Sequence, residues 1–166
     1  QDLGFVQPSE ESMCSFVQMG LSIKRDVRFN HSQFKARLVV KRFRQEYGVD
    51  FDEIFSPVVK MTTLRFMLGV VATENLELIK LDVKTTFLHG DLKEEIYMEQ
   101  PKGFVASGQE HLVCRLRNSL YGLKQAPRQW YKKLDDFIQS EGFPKSDDDY
   151  CLFTKPAQDG SPIFLI

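Results

Sequence analysis

Leu76-Glu-Leu-Ile-Lys-Leu-Asp-Val-Lys-Thr-Thr-Phe-Leu-His-Gly-Asp-Leu92 is the stretch whose reading decides the fold. Its apolar residues Ile79, Leu81 and Val83 alternate with Lys80 and Asp82, the period of a strand with one buried face. The alternation predicts a strand over Ile79–Val83 that carries Asp82 away from the core, with Leu78 sharing the Asp82 side. Thr85, Thr86, His89 and Gly90 then close the strand with turn chemistry and leave Asp82 at the carboxyl edge of a sheet, where backbone can meet a ligand. An aspartate in such a place is, on residue type alone, more often a turn former or a solvated charge than a metal ligand.

Three further stretches alter that balance. Leu81–Leu92 resembles the first palm motif of copia-type retrotransposon reverse transcriptases, which reads close to LDVKTAFLHGDL. Ser119-Leu-Tyr-Gly-Leu-Lys-Gln-Ala-Pro-Arg-Gln-Trp-Tyr131 is similar to the next palm motif, and Lys35-Ala-Arg-Leu-Val-Val-Lys41 and Phe55-Ser-Pro-Val-Val-Lys-Met-Thr-Thr63 resemble the fingers segment. Four motifs stand in the family's order, over residues 21–166, and residues 1–20 lie outside the likeness. The resemblance implies an α+β fold that is part of a right-hand polymerase: a fingers hairpin and an incomplete palm whose antiparallel sheet packs on helices.

Composition agrees with one domain. The 166 residues are 42% apolar and 27% charged, enough for a sizeable core. No apolar run approaches the roughly 20 residues that span a bilayer, and the N-terminus lacks a basic-then-apolar export signal. An intracellular, non-secreted protein with no membrane partner is expected. The resemblance narrows this to cytoplasmic virus-like particles and the nucleus. Cys14, Cys114 and Cys151 are far apart and form no CxxC pair, so they read as reduced, buried thiols. Gln1 in place of methionine suggests a piece of something longer.

Net charge is −1, yet Lys24, Arg25, Arg28, Lys35, Arg37, Lys41, Arg42 and Arg44 face only Asp26 between positions 24 and 44. Such a basic lobe is the footprint of phosphate binding, and equally of a solvated strand face. A hairpin is predicted here, with a short strand near Leu21–Arg25, a turn over Val27–Ser32 that includes Asn30, and a strand over Phe34–Lys41. In the second strand Lys35, Arg37, Val39 and Lys41 share one face, and Phe34, Ala36, Leu38 and Val40 the other.

The rest of the chain alternates helices and strands. Gln1–Gly20 shows no clear period: Pro8–Ser12 reads as loop, and Phe16, Val17 and Met19 suit a short edge piece. Glu46–Lys60 reads as a loop whose acids Asp50, Asp52 and Glu53 are solvated. Thr62 or Thr63 is placed to cap a helix running to Glu74, with Leu64, Met67, Leu68 and Val71 as a stripe buried on the sheet and Phe66 and Val70 widening it. Asn75 ends that helix. Strands follow at Glu95–Glu99 and His111–Leu116. A second helix enters at Pro127, carries Trp130, Tyr131, Leu134, Phe137 and Ile138 inward and stops at Gly142. Ser146–Asp149 reads as a solvated charged loop, and Tyr150–Lys155 and Pro162–Ile166 as two strands.

The resemblance assigns roles residue by residue. Asp82 matches the first metal ligand of a two-metal nucleotidyl transfer, with the Val83 carbonyl beside the same Mg²⁺. Lys35 and Arg37 are candidates for the triphosphate, since a guanidinium takes phosphate oxygens in pairs and an ammonium supplies a mobile charge. Phe87 matches the aromatic position under the sugar that excludes a 2′-hydroxyl, although an ordinary core aromatic explains it as well. Gln125 is a candidate nucleotide contact, and Gly122, Lys124 and Pro127 are candidates for template and primer; Gly122 and Pro127 also suit a helix entry for conformational reasons alone. The implied partners are an RNA or DNA template with its primer, dNTPs, and the protease, integrase and RNase H segments of a Pol polyprotein.

Three departures qualify the likeness. Arg42 replaces a usual glycine and Thr86 a usual alanine, and the chain stops just before the YVDD turn whose aspartates complete the metal site. The expectation is therefore a reverse transcriptase domain active in its intact parent and inactive as this chain. The alternative is a catalytically dead, nucleic-acid-binding relic. No GxxxxGK[ST], HExxH or GxSxG pattern is present, and His31, His89 and His111 stand apart, so other catalytic classes lack support.

Overall fold

A helix satisfies its own backbone hydrogen bonds, whereas a strand needs a neighbour to satisfy them. That difference separates the elements that form from those that do not. The computed structural model describes residues 4–7, 14–15, 17–26 and 31–166, with side chains at 5–7, 20 and 34–166. The chain is α+β. Its strands are β1 (Gly4–Val6), β2 (Cys14–Ser15), β3 (Val17–Asp26), β4 (His31–Val40), β5 (Tyr97–Met98), β6 (Val113–Arg115), β7 (Phe153–Pro156) and β8 (Pro162–Leu165), and its helices α1 (Met61–Thr73) and α2 (Ala126–Ser140).

The strands form a four-stranded sheet in the order β1-β6-β5-β2 and two hairpins, β3-β4 and β7-β8. Pairing is antiparallel except for β2 on β5, which is parallel. Strands β1 and β2 form within residues 1–20, where the sequence shows no clear period. The Pro8–Ser12 reading lies outside the described residues, as do residues 27–30 of the expected hairpin turn. The hairpin itself forms, and its strands are longer than expected, in register from Val17↔Val40 to Asp26↔His31.

Ile96, Met98, Cys114, Leu116, Leu120, Leu123, Ala126 and Val40 make the core. Among its described side chains β4 meets the core near its base: Val40 is buried and Leu38 packs beside it, while Phe34 is 79% exposed. Alternation in β4 thus describes two faces, of which only the part near Val40 meets the core.

Both helices end in the same way. Asn75 takes a left-handed φ of 51° after α1, and the Leu76 N–H reaches back to the Val71 carbonyl at 2.9 Å. Gly142 takes φ 80° after α2, with the Phe143 N–H on the Ile138 carbonyl at 3.2 Å. Each closes an orphan carbonyl in the Schellman manner. The predicted stops hold. Burial of α1 does not: Met67 is its one buried residue, and Phe66 and Leu68 are exposed.

The expected strand over Ile79–Val83 is absent. Residues 76–83 are irregular, and Leu78, Ile79 and Leu81 are 67%, 69% and 79% exposed. The segment does alternate apolar and polar residues, but among the described residues no strand lies beside it to take its hydrogen bonds. Alternation records what a segment presents to a neighbour and does not supply the neighbour.

Asp149 also departs from expectation. The loop read as solvated buries it at 4% exposure, where its carboxylate accepts the Lys60 N–H at the start of α1 (3.0 Å) and the Cys151 N–H (3.0 Å). Neither Thr62 nor Thr63 caps the helix with its own side chain. The hydrogen bonds from Cys151, Lys60 and Thr63 hold the Asp149 carboxyl below its ordinary range. An acid at a helix N-terminus is also favoured by the helix dipole.

Strand β4 is fastened to the loop before α2 by the Val40 N–H on the Tyr121 carbonyl at 2.7 Å. Gly122, at φ +93°, allows the approach, since a Cβ there would sit 2.2 Å from the Val40 carbonyl oxygen. Gly122→Ala is expected to destabilise the chain by on the order of 3 kcal/mol, through left-handed strain and backbone overlap together, seen as a lower urea midpoint. Asp149→Ala is expected to cost about 1–2 kcal/mol by removing the cap. Because folding lowers the Asp149 pKa, its stabilisation is full above the ordinary aspartate value and is lost as pH falls through the lowered one. Denaturation curves of the two chains should therefore converge on acidification, and a constant gap between them would show that the carboxylate charge is not what acts.

Candidate functional site

Four stretches far apart in sequence meet around Tyr121 and Gly122. The base of β4 arrives through Val40, and its neighbour Val39 bridges to Tyr121. Val39 Cγ1 would lie 2.9 Å from a Cβ on Gly122, so the face that Val39 shares with Lys35 and Arg37 is turned toward this junction. At about 3.4 Å per residue, Arg37 and Lys35 lie roughly 10 and 17 Å out along the strand from Val40. Arg37 is exposed and Lys35 half-buried.

The segment after Asp82 arrives through a helical turn, Thr86–His89. Phe87 is half-buried, packs on the core and meets the Tyr121 ring edge-on, with centroids 5.9 Å apart and planes at 77°. Gly90 presses against α2, where a Cβ would lie 2.9 Å from Gln129 Cβ, and its carbonyl accepts the Ser119 N–H at 2.8 Å. Asp91 receives Lys133 Nζ at 3.0 Å and Asn118 Nδ2 at 3.3 Å. Two motifs about thirty residues apart are thereby locked side by side.

The fourth stretch comes in beside α2. Arg128 pairs with Glu53 and donates to the Phe55 carbonyl at 3.0 Å, and Ser56 Oγ donates to the Pro127 carbonyl at 3.3 Å. Beneath them lies a buried amide pair that the sequence did not announce. Gln125, 0% exposed, donates through Nε2 to the Asp50 carbonyl (2.9 Å) and accepts from Gln45 Nε2 (3.0 Å). Gln45 Oε1 in turn accepts the Lys124 N–H at 2.7 Å, and Lys124 Nζ donates to the Gln45 carbonyl at 3.0 Å while lying 4.5 Å from the Phe51 ring centroid. Both polar ends of the Gln125 side chain are thus engaged within the chain, and Lys124 is half-buried against the same loop. These contacts pin the 45–51 loop to the start of α2. Glutamine and aspartate in a polar loop carry no sequence mark of burial, and Asp50, expected to be solvated, is buried at 4% exposure beside the equally buried Gln45.

Asp82 stands apart from this junction. It is exposed, as is the neighbouring Val83, at 47%. The turn that follows is strained, for Thr85 holds φ 55° and a β-branched side chain seldom does so. Thr85 Oγ1 and the Lys84 carbonyl both lie 3.3 Å from His89 Nε2, which ties the turn to its own end. Among the described residues no three metal-ligating side chains cluster. One exposed carboxylate does not by itself hold two cations, so the residues described do not fit a complete two-metal centre. Cys114 and Cys151 are free thiols, and burial pushes the Cys114 thiol up.

Comparison with known proteins gives this arrangement a family. A family profile described as "Reverse transcriptase (RNA-dependent DNA polymerase)" matches residues 17–166. The chain is 55% identical over 144 residues to the "Retrovirus-related Pol polyprotein from transposon TNT 1-94" of Nicotiana tabacum, a match covering 87% of this chain and 11% of that protein. It is 47% identical over 122 residues to the corresponding polyprotein from transposon RE2 of Arabidopsis thaliana, covering 74% of this chain and 8% of that one. A more distant relative is the "Transposon Ty1-BL Gag-Pol polyprotein" of Saccharomyces cerevisiae, at 30% over 104 residues, 63% of this chain and 6% of that protein. The chain therefore spans about a tenth of the length of these two plant relatives. No solved structure matches it. The match over nearly the whole sequence, on the motifs that the fold packs together, places the chain in the reverse transcriptase (RNA-dependent DNA polymerase) family, among the copia-type retrotransposon Pol polyproteins.

Proposed function

We propose that this chain supplies the fingers hairpin and part of the palm of a reverse transcriptase that extends a primer on an RNA or DNA template from dNTPs. The observation that carries this reading is the convergence at Tyr121–Gly122 of the basic strand, the Phe87 turn and the start of α2. Lys35 and Arg37 share a face of β4 with Val39, whose side chain meets Gly122, so phosphates held by these cations would lie on the side of the aromatic pair. A guanidinium and an ammonium there bind a triphosphate by charge and paired hydrogen bonds. Phe87 would underlie the sugar, and a ring in that place leaves no room for a 2′-hydroxyl. Gly122 and Pro127 set the backbone that meets template and primer. Gln125 and Lys124 serve chiefly by holding the 45–51 loop in place beneath them, and any contact of theirs with nucleotide or template passes through that scaffold.

The reverse transcriptase family generally uses divalent metals, and in this reading the ion is Mg²⁺. Asp82 and the Val83 carbonyl are what this chain offers to it. The remaining carboxylates must come from elsewhere in a longer Pol polyprotein, together with its protease, integrase and RNase H segments. The chain alone is then catalytically silent. A second reading, a nucleic-acid-binding relic without catalysis, is favoured by the isolation of Asp82 and by the strained Thr85 beside it. Among the described residues no helix is long and apolar enough to cross a membrane. Residence in cytoplasmic virus-like particles and in the nucleus is part of the proposal.

Primer extension with Mg²⁺ and dNTPs separates the readings. Extension is expected from a polypeptide that carries this chain within its parent reading frame, with a loss of at least a thousandfold on Asp82→Asn and none detectable from residues 1–166 alone. Retention of a primer–template by both chains, falling as salt rises and without extension by either, would establish the relic reading. Extension that survives Asp82→Asn would place the catalytic carboxylate elsewhere.

A further inference from the structure

We infer that Tyr121 is a specificity-determining position that acts through Phe87, so that discrimination between deoxyribo- and ribonucleoside triphosphates depends on an aromatic pair and not on Phe87 alone. The inference rests on the polymerase reading above.

Phe87 sits on a short helical turn whose preceding residue, Thr85, is in a left-handed conformation, and Phe87 itself is only half-buried. A ring on such a turn needs lateral support to hold one height under a sugar. Tyr121 supplies it, edge-on at 5.9 Å and 77°, the geometry in which the positive rim of one ring meets the negative face of the other. Tyr121 is held from both sides. Its carbonyl accepts the Val40 N–H at 2.7 Å, and the next residue is the left-handed Gly122 wedged against Val39 and Val40. The ring of Tyr121 therefore stands on the most constrained backbone of the junction, and that of Phe87 on a strained turn. Constraint passes from the first to the second.

The chemistry follows from the shape of the pair. A 2′-hydroxyl adds one oxygen at the face of the sugar, and exclusion requires an aromatic wall that does not yield when that oxygen arrives. If the Tyr121 ring is lost, Phe87 gains room to tilt and the wall yields. Among the described residues the Tyr121 hydroxyl makes no hydrogen bond, and the ring supplies the contact with Phe87.

The test uses the full-length protein carrying this chain and measures kcat/KM separately for a dNTP and the matching rNTP. Tyr121→Leu is expected to lower the dNTP-to-rNTP preference about tenfold, chiefly through a lower KM for the rNTP, whereas Tyr121→Phe keeps the preference. In a Phe87→Val background the Tyr121→Leu change should add nothing further. Tyr121→Met is measured in parallel, so that a folded aliphatic variant is in hand if leucine is not tolerated. An unchanged preference in the folded aliphatic variants overturns the inference, and so does a loss that adds fully to that of Phe87→Val. No extension by the unsubstituted protein overturns the polymerase reading and the inference with it, and is distinguishable from both.

Discussion

The approach of the Val40 backbone to Gly122 is the contact on which the rest of the arrangement depends. Here two main chains meet with no side chain between them, one hydrogen bond crossing from Val40 to Tyr121 and a glycine in the left-handed region making the space. Through it the basic hairpin, which meets the core near its base, is oriented with respect to everything else. On the other side of the same residues the Phe87 turn and α2 are fixed by Gly90, Ser119 and Asp91. A close-packed junction of this kind transmits displacement, because there is no slack into which a neighbour can relax.

What the sequence disclosed and what it withheld follow from where the necessary information resides. Both helix stops, Asn75 and Gly142, were readable because a left-handed residue after a helix is a local requirement. The hairpin, the buried positions Ile96, Met98, Cys114 and Leu116, and the proline at the start of α2 were readable for the same reason: each is set by a short window of side-chain period. The strand at Ile79–Val83 carries as clear a period as any of these and does not form. The pairing strand it lacks among the described residues is a property of another segment.

The candidate site divides along the same line. Motif order pointed to Phe87, Gly122 and Pro127, and the fold brings their segments together. It did not foretell that Gln125 would be wholly buried and joined to Gln45, nor that Lys124 would face the 45–51 loop, since a buried amide and a solvated one are the same letters. Asp149 teaches this most sharply. It was one of three aspartates in a row, and only tertiary contact distinguishes the one that holds a helix from the two that face water.

That cap has a bearing on how the chain is made. Lys60 and Asp149 are separated by 89 positions. A ribosome adding about 5–20 residues per second would leave the start of α1 without its carboxylate for roughly 4–18 seconds. A helix of 13 residues with one buried side chain has little to sustain it alone over that interval. Its final form during synthesis is thus tied to the arrival of a loop translated much later, and a ribosome pausing between the two would prolong the time that Phe66 and Leu68 spend on an unfinished helix.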